Sequence, residues 1–378
     1  MSLKHLVRIG VGAAALLSTM TMAGRAEAGT PKWIAAGDMN GALGACDPGM
    51  FAQTSNQGAS WSTGDAFRAI PVPCGRGGRI NSVIATPGGR IFAAGYRYAT
   101  NGLKQGVLLY SDDSQNWSVA REIPASAVDT EYLDVVFQAR AGGSIIAVLA
   151  NTTANSTRHS VNGPYTAGWS AFTSAAPQFV NMGVANSSDL SFIVEQTIAG
   201  KKCGTWATQA SDQAIMVHSA HAFCLPGYDV RIEAQEFNWS GGRGIFVGSA
   251  TTAGVAKPVV RVLNLTSSAG QPILLPGNGT LHDVATDGAG TWVAVGERSI
   301  FGVPVGLIFR SADNGATWTQ GAFPLSGAAP LHAVIWQTSG FVAVGDSGDV
   351  LRSTDGATWT ATGTPNPNVS LRSITEID

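Results

Sequence analysis

Four segments of the chain are polar turn motifs whose last residue is a tryptophan, and their similarity limits the folds that the sequence can adopt. The two clearest copies are Ser311-Ala-Asp313-Asn-Gly315-Ala-Thr317-Trp318 and Ser353-Thr-Asp355-Gly356-Ala-Thr358-Trp359. Weaker copies occupy residues 111–117 and residues 55–61, and in the latter a glutamine takes the place of the aspartate. Recurrence of one short motif along 378 residues predicts an architecture of repeated units rather than an irregular domain.

Each of these tryptophan turns closes a group of short strands. In the last copy, four alternating apolar runs lie between residues 331 and 360. Four short runs separated by polar turns predict one antiparallel sheet. The same scheme precedes Trp117 and Trp318, and looser versions of it fill residues 132–169, 178–220 and 229–265.

The two chain ends hold complementary parts of one further copy. Residues 33–38 match a second strand, and residues 371–374 match a first strand. If the two join, a ring closes and no sheet edge is left exposed. The sequence therefore predicts an all-β fold over residues 29–378: a single seven-bladed β-propeller of four-stranded antiparallel blades, closed by the C-terminal strand joining the N-terminal blade. An open solenoid is the alternative, and it would leave both half-blades unpaired.

The first 28 residues have the pattern of an export signal. Lys4 and Arg8 precede a stretch of small and apolar residues, and Ala26-Glu27-Ala28 fits a cleavage site. We therefore expect residues 1–28 to be a signal peptide and the mature protein to be secreted or periplasmic. A membrane anchor is the alternative, but the apolar stretch is short for a span and is interrupted by hydroxyl residues. No membrane span is expected in the remaining chain.

The charge balance argues against one class of partner. The chain carries 23 Lys and Arg against 25 Asp and Glu, and without residues 1–28 the balance becomes 20 against 24. Binding to nucleic acid needs a basic surface, so we expect no nucleic-acid partner. We expect the protein to be a monomer.

The tryptophan turn resembles the Asp-box, or BNR, repeat of sialidases and related propellers. The pairing of Phe341-Val-Ala-Val-Gly345 with a following tryptophan turn is also similar to the photosystem II assembly-factor type of propeller. The resemblance covers most of the mature chain. It implies a propeller with the turn between strands three and four of a blade, and it implies no activity, because enzymes and binding proteins both carry this repeat.

Physical chemistry gives the tryptophan turn a structural role. The aspartates can accept hydrogen bonds from turn amides, the glycines supply conformations that other residues avoid, and the tryptophans bury their rings between sheets. The predicted members are Asp113, Trp117, Asp313, Gly315, Trp318, Asp355, Gly356 and Trp359. Calcium or sugar binding by these aspartates is the alternative, but one carboxylate per turn provides too few oxygen ligands for a calcium site. We expect no metal and no cofactor.

Four cysteines in an exported chain predict two disulfides. Three pairings are possible, and the positions of the cysteines in the repeat select Cys46–Cys74 and Cys203–Cys224. Each pair would join loops on the side of the ring that faces away from the tryptophan turns. Such bridges stabilise long loops, and stabilised loops on one face indicate binding.

This opposite side is the expected ligand-binding face. Its long loops are predicted over residues 38–49, 97–106 and 297–306. The first strand of each blade should begin around the channel mouth and place polar side chains there. These candidates are Arg79, Tyr132, Asp134, Asp229, Arg231, His282, Asp283, His332 and Arg372. Polar residues that are solvated or lie between blades are the alternative at every one of these positions.

Two classes of function fit these observations. The favoured hypothesis is an exported, non-enzymatic propeller that binds a glycan, a peptide or a partner protein through the loop face. The alternative is a carbohydrate-active enzyme, either a sialidase-like glycoside hydrolase or a polysaccharide lyase, with its site at the channel mouth. A glycosidase needs a pair of carboxyl groups, and no catalytic residue is identifiable from the sequence. His218 and His221 are three residues apart, which places them on opposite faces of a strand and argues against a metal site.

Overall fold

The computed structural model describes residues 32–39, 49–65, 77–123, 128–140, 143–152, 156–162, 170–174, 179–184, 189–210, 216–217, 222–266, 270, 272–321, 329–337 and 340–377. Within these residues, 28 β-strands form seven four-stranded sheets. Six of the sheets each contain four strands that are consecutive in the sequence. These six blades are therefore each formed by one uninterrupted stretch of chain. The remaining sheet is composite and takes its strands from both ends of the chain.

We number the composite sheet blade 1, and the other blades follow in chain order. Blade 1 contains β1 (Lys32–Met39), β2 (Gly49–Thr54), β3 (Ser62–Asp65) and β28 (Val369–Ile377). Blade 2 contains β4 (Gly78–Ala85), β5 (Ile91–Tyr98), β6 (Lys104–Ser111) and β7 (Ser118–Glu122). Blade 3 contains β8 (Thr130–Arg140), β9 (Gly143–Thr152), β10 (Ser156–Asn162) and β11 (Ser170–Ser174). Blade 4 contains β12 (Phe179–Val184), β13 (Asp189–Ile198), β14 (Lys201–Ala210) and β15 (Met216–Val217).

The last three blades follow the same order. Blade 5 contains β16 (Asp229–Asn238), β17 (Arg243–Thr252), β18 (Val255–Asn264) and β19 (Pro272–Leu274). Blade 6 contains β20 (Thr280–Thr286), β21 (Trp292–Ile300), β22 (Val303–Ser311) and β23 (Thr319–Gln320). Blade 7 contains β24 (Leu331–Gln337), β25 (Gly340–Gly345), β26 (Val350–Ser353) and β27 (Thr360–Ala361), with a short 3-10 helix at Asp346–Gly348.

The pairing expected between the two chain ends is present. Strand β28 runs antiparallel to β1, with Lys32 opposite Ile377 and Met39 opposite Val369. The C-terminal strand thereby becomes the first strand of blade 1 and packs against both neighbouring blades through Leu371 and Ile377, which are buried. Both edges of the repeat array are covered, which is how a closed ring avoids exposed strand edges.

Every blade has a β-bulge at the same place in its first strand. In blades 6 and 7, the register against the second strand shifts between Leu281 and Asp283 and between Leu331 and Ala333. One residue is left without a pairing partner at each bulge, so its side chain is released from the regular alternation. The seven bulged residues are Asn81, Leu133, Val180, Glu233, His282, His332 and Arg372.

A glycine in the second strand makes room for this bulge in five blades. A Cβ atom on Gly345 would lie 2.0 Å from the carbonyl oxygen of Pro330, and one on Gly296 would lie 1.9 Å from that of Thr280. The same close approach to a first-strand carbonyl occurs at Gly37, Gly95 and Gly248. These repeated glycines belong to second strands and allow two backbones to approach closely.

Polar side chains just after the bulges join neighbouring blades. Asp134 accepts hydrogen bonds from the Ser82 hydroxyl at 2.7 Å and from the backbone N–H of Met182 at 3.4 Å, so it joins blade 3 to blades 2 and 4. Asp283 accepts from the N–H of Val334 at 2.9 Å, and the hydroxyl of Ser373 accepts from that of Val83 at 3.1 Å. A belt of hydrogen bonds therefore reinforces the apolar contacts between blades.

The tryptophan turns have the structural role that their chemistry predicts. Asp313 accepts hydrogen bonds from the hydroxyl of Ser311 and the backbone N–H of Thr317, both at 2.8 Å. Gly315 has a φ of 86°, and the indole Nε1 of Trp318 donates to its carbonyl at 3.0 Å. The same bonds recur in the turn of Asp355, Gly356 and Trp359, and Asp113 likewise accepts from the backbone amides of its own turn.

The first tryptophan turn is displaced by one residue from the alignment made on the sequence. Thr54 and Asn56 take the positions of the serine and the aspartate, because Asn56 accepts hydrogen bonds from the Thr54 hydroxyl at 2.7 Å and from the N–H of Ser60 at 2.9 Å. Gln57 instead occupies the left-handed position, with a φ of 58°. Asparagine replaces aspartate here since either side chain presents the oxygen that the turn amides need.

Two further boundaries differ from the sequence prediction. The fifth blade does not end at residue 265, because its fourth strand is Pro272–Leu274. Residues 97–106 and 297–306 are not long loops but ladders that end in tight hairpin turns, with Arg97 opposite Gln105 and Glu297 opposite Gly306. The expected signal peptide, residues 1–28, lies outside the described residues.

Candidate functional site

Three bulged residues from consecutive blades each pair with an acidic residue of the same blade. In blade 6, His282 Nε2 lies 3.8 Å from Glu297 Oε1. In blade 7, His332 Nε2 lies 2.8 Å from Asp346 Oδ1. In blade 1, Arg372 Nε lies 3.5 Å from Asp38 Oδ1. Each acidic residue directly follows a strand-two glycine, so the repeat itself places a basic and an acidic side chain together at the start of the first strand.

Contacts between blades join these pairs into one cluster. Arg372 Nη1 lies 2.8 Å from His332 Nε2, and Arg372 Nη2 lies 3.8 Å from Asp346 Oδ1. Asp346 also accepts a hydrogen bond from the hydroxyl of Ser370. The imidazole rings of His282 and His332 lie 5.6 Å apart. The cluster therefore crosses from blade 6 through blade 7 to blade 1.

Arg79 extends the cluster to blade 2. Its Nε lies 3.3 Å from Asp38 Oδ2, so Asp38 forms ion pairs with arginines of two blades. The Arg79 guanidinium also lies over the ring of Tyr96, 5.9 Å from its centroid. We call this set the mouth cluster, and its members are Asp38, Arg79, His282, Glu297, His332, Asp346 and Arg372.

The protonation states in the mouth cluster follow from burial and from its hydrogen bonds. Burial alone would raise the pKa of Asp346, but hydrogen bonds from His332 and Ser370 and the charge of Arg372 lower it to about 2. Burial lowers the pKa of His332, and the charge of Arg372 acts in the same direction, whereas Asp346 opposes the shift. The nearby His282 imidazole lowers the pKa of Glu297. Near neutral pH the carboxylates of Asp346 and Glu297 are thus ionised, and burial favours the neutral form of His332.

Four of the nine residues predicted for the channel mouth meet in this cluster: Arg79, His282, His332 and Arg372. Three others lie in contacts between neighbouring blades. Tyr132 is fully buried between blades 2 and 3, and burial raises the pKa of its hydroxyl to about 12. Asp134 and Asp283 accept the interblade hydrogen bonds described above. Their strands do begin at the mouth, but the alternation of side chains directs these three residues towards neighbouring blades.

Asp229 and Arg231 lie on blade 5, where Asp229 contacts blade 4 and Arg231 contacts a residue of its own strand. Asp229 accepts a hydrogen bond from the N–H of Lys202 at 2.9 Å, and Arg231 Nε lies 2.7 Å from Glu233 Oε1. No contact in the described residues joins them to the mouth cluster. The predicted disulfide Cys203–Cys224 is confirmed and lies beside them, whereas Cys46 and Cys74 lie outside the described residues.

An exposed apolar hairpin lies next to the mouth cluster. Strands β21 and β22 extend beyond Glu297 to a two-residue turn at Phe301 and Gly302. Phe301 is fully exposed and has a φ of 51°, a conformation that is rare for a bulky residue. Ile300 and Val303 flank it and are 39% and 59% exposed. We call residues 300–303 the Phe301 hairpin.

The described residues offer no metal site and no membrane-spanning helix. They contain no group of three His, Cys, Asp or Glu side chains placed to hold an ion. The helix content of this part of the chain includes nothing long and apolar enough to cross a bilayer.

The acidic half of the mouth cluster was missed on the sequence, although a signal was present. Asp38, Glu297 and Asp346 each follow the glycine that ends the apolar core of a second strand, in the order Gly37-Asp38, Gly296-Glu297 and Gly345-Asp346. An acidic residue at this fixed repeat position, opposite a basic residue of the first strand, indicates an ion pair. The pairing can be recognised only when the β-bulge is known, because without the bulge these side chains would not be neighbours.

Comparison with known proteins supports the propeller fold. No protein-family model matches the chain, and no curated protein matches its sequence. A putative 6-phosphogluconolactonase from Bacteroides uniformis is similar in structure, with 9% sequence identity, a TM-score of 0.56, and coverage of 92% of this chain and 100% of that one. YCF48 bound to D1 peptide is similar with 14% identity, a TM-score of 0.50, and coverage of 89% and 95%. At such low identity the likeness concerns the fold, and function has to be argued from the site.

Proposed function

We propose that the protein is an exported, non-enzymatic β-propeller that binds a protein or peptide partner through its loop face. The contact surface would comprise the mouth cluster and the Phe301 hairpin. The hairpin supplies apolar area, and the ion pairs of the mouth cluster supply hydrogen-bonding groups whose positions are set by the ring. This division between an apolar anchor and polar groups is common in protein interfaces.

The observation that carries the proposal is the exposure of Phe301. Large aromatic side chains are seldom left fully in water, and Phe301 also occupies a left-handed turn position that bulky residues seldom adopt. The exposed ring adds nothing to the folded state, since the side chain packs against nothing. A partner that covers Phe301, Ile300 and Val303 would recover the apolar area. YCF48, a structural neighbour, was solved with a bound peptide, so a propeller of similar fold accommodates such a partner.

The proposal is tested by selecting binding peptides from a random peptide library displayed on phage. The variants Phe301→Ser and Arg372→Gln should each weaken the selected peptides by about tenfold or more, as interface anchors do. Val119→Ser is the matched control, because Val119 is an exposed apolar residue on the outermost strand of blade 2. Peptides that bind all three variants as well as the unaltered protein would contradict the proposal.

A carbohydrate-active enzyme remains the second candidate, because two carboxylates, Asp38 and Asp346, lie on either side of Arg372. A glycosidase needs one carboxyl group that is protonated near neutral pH. Asp346, with a pKa of about 2, is ionised there, which disfavours it as the general acid. Turnover of aryl glycosides that is abolished in Asp346→Asn would overturn the non-enzymatic proposal.

A further inference from the structure

A cleft between blades 1 and 2 lies on the side of the ring that carries the tryptophan turns. Its volume is about 510 Å³, and its walls are the first two tryptophan turns and the start of β1. The lining includes Lys32, Gln53, Trp61, Ser62, Asp113 and Ser114. This side is opposite the mouth cluster, so the cleft is independent of the function proposed above.

Trp61 differs from its counterparts in the last two tryptophan turns. The indole Nε1 atoms of Trp318 and Trp359 each donate to a glycine carbonyl within their own turn. Trp61 Nε1 has no such partner among the described residues, and its ring is instead tilted by 51° against Trp33, with centroids 6.4 Å apart. Trp61 remains partly exposed, and its ring forms an apolar wall in a cleft whose other groups are polar.

The polar groups of the cleft are held in place by contacts between the two blades. The Ser114 hydroxyl donates to Gln53 Oε1 at 2.8 Å, which leaves the Gln53 amide N–H groups as donors. Hydrogen bonds from Asn116 lower the pKa of Asp113, so its carboxylate is an acceptor at all ordinary pH values. Lys32 adds a cation, and together with Asp113 it leaves the cleft without net charge. Donors and acceptors are therefore both present around one aromatic wall.

We infer that this cleft is a binding site for a neutral sugar, either a free monosaccharide or the terminal unit of a glycan. A pyranose ring has an apolar face formed by its C–H groups and a rim of hydroxyls that both donate and accept. The apolar face suits the Trp61 ring, and the rim suits the Gln53 amide, the Asp113 carboxylate and the serine hydroxyls. A charged ligand would leave either Lys32 or Asp113 uncompensated, and an apolar ligand would leave most of these polar groups without partners.

The test is titration of the protein with glucose, galactose, N-acetylglucosamine and their β-1,4-linked disaccharides, followed by saturation-transfer NMR and calorimetry. We expect at least one of these sugars to bind with a millimolar dissociation constant, as a shallow open site predicts. Ser62→Phe should abolish binding by filling the cleft. Its matched control is Ser118→Phe, because Ser118 follows Trp117 as Ser62 follows Trp61, is also exposed, and lies outside the cleft lining.

A second variant keeps the inference testable if Ser62→Phe does not fold. Gln53→Ala removes the amide donors and should weaken the same sugar by about tenfold, with the melting temperature measured in parallel. Phe301→Ser should leave sugar binding unchanged, which separates this site from the loop face. The inference is overturned if none of the sugars binds in the millimolar range, or if a sugar binds the folded Ser62→Phe and Gln53→Ala variants as well as the unaltered protein.

Discussion

The strand-two glycines allow the β-bulges to form because they carry a hydrogen atom where other residues carry a Cβ atom. In blade 7, a Cβ on Gly345 would lie 2.0 Å from the Pro330 carbonyl oxygen, and backbone cannot move aside as a flexible side chain can. We predict that Gly345→Ala lowers the free energy of unfolding by about 3 kcal/mol or more. The control is Gly88→Ala, since a Cβ there would meet nothing within 4 Å. Urea unfolding should show the loss in the first variant only, and equal midpoints would contradict the role given to these glycines.

The turn aspartates give the fold a dependence on acid whose sign can be stated. Hydrogen bonds from the side chain and backbone of Thr317 lower the pKa of Asp313 to about 2, below the ordinary value of about 3.9. The folded state therefore binds fewer protons than the unfolded state, and stability is lost as the pH falls from about 4 towards 2. Asp313→Asn keeps an acceptor oxygen but removes the charge. We expect this variant to be less stable than the unaltered protein at pH 7, with a difference that shrinks at pH 3; a difference independent of pH would contradict this prediction.

Individual residues show where sequence reasoning succeeds and where it does not. The roles of Asp313 and Gly315 could be predicted, because a turn is local and its hydrogen bonds join residues close in sequence. The pairing of His332 with Asp346 could not, since it depends on a bulge that only the register between two strands reveals. Tyr132 was misplaced for the same reason: the bulge decides which first-strand side chains face the mouth and which face the next blade.

At the scale of whole elements, the loop leading into blade 5 is held by several contacts besides its disulfide. Cys224 is bonded to Cys203, the adjacent Phe223 is fully buried, and its N–H donates to the carbonyl of Gly204 at 2.6 Å. The Arg261 guanidinium packs over the Phe223 ring, 4.3 Å from its centroid, and donates to the Ala222 carbonyl. Residues 222–224 are therefore held by packing and hydrogen bonds as well as by the disulfide.

We predict that Cys203→Ala with Cys224→Ala lowers the free energy of unfolding by about 2–4 kcal/mol, mainly because the unfolded chain gains freedom. The fold should persist, since the packing of Phe223 remains. Denaturant unfolding measures the loss, and Cys203→Ala with Cys224→Ala and Phe223→Ala combined should cost more than the cysteine pair alone. If removal of the cysteines alone unfolds blade 5, as seen by loss of amide protection in β16 and β17, the contacts of Phe223 and Arg261 do not hold the loop.

The antiparallel order of four strands within a blade could be anticipated, because the strands and the turn of a blade follow one another in the sequence. Element boundaries were less predictable. The hairpin that ends at Phe301 was expected to be a loop, because its glycines and short apolar runs resemble loop composition, yet Glu297 to Gly306 forms a regular ladder. The last strand of blade 5, Pro272–Leu274, was missed because it contains only three residues and follows no tryptophan turn.

At the scale of the whole molecule, closure of the ring depends on the composite blade. Strand β28 pairs with β1 along its length, and Leu371 and Ile374 pack in the core shared by blades 7 and 1. The mouth cluster depends on the same strand, because Arg372 and Ser370 belong to β28 and contact His332 and Asp346. Loss of this strand would therefore remove ring closure and the polar cluster at once.

Truncation after residue 368 tests this dependence. Without β28, the edge of β1 exposes unpaired backbone groups and the apolar core between blades 7 and 1 is opened, so we expect a much lower melting temperature and association between molecules. A synthetic peptide of residues 369–378 should restore monomers and the melting temperature by adding back the missing strand. The matched peptide with Leu371→Asp should fail, because Leu371 is fully buried and a carboxylate there would lack a partner. A truncated protein that melts like the full chain, or a rescue that both peptides achieve equally, would show that the C-terminal strand does not close the ring through its side-chain packing.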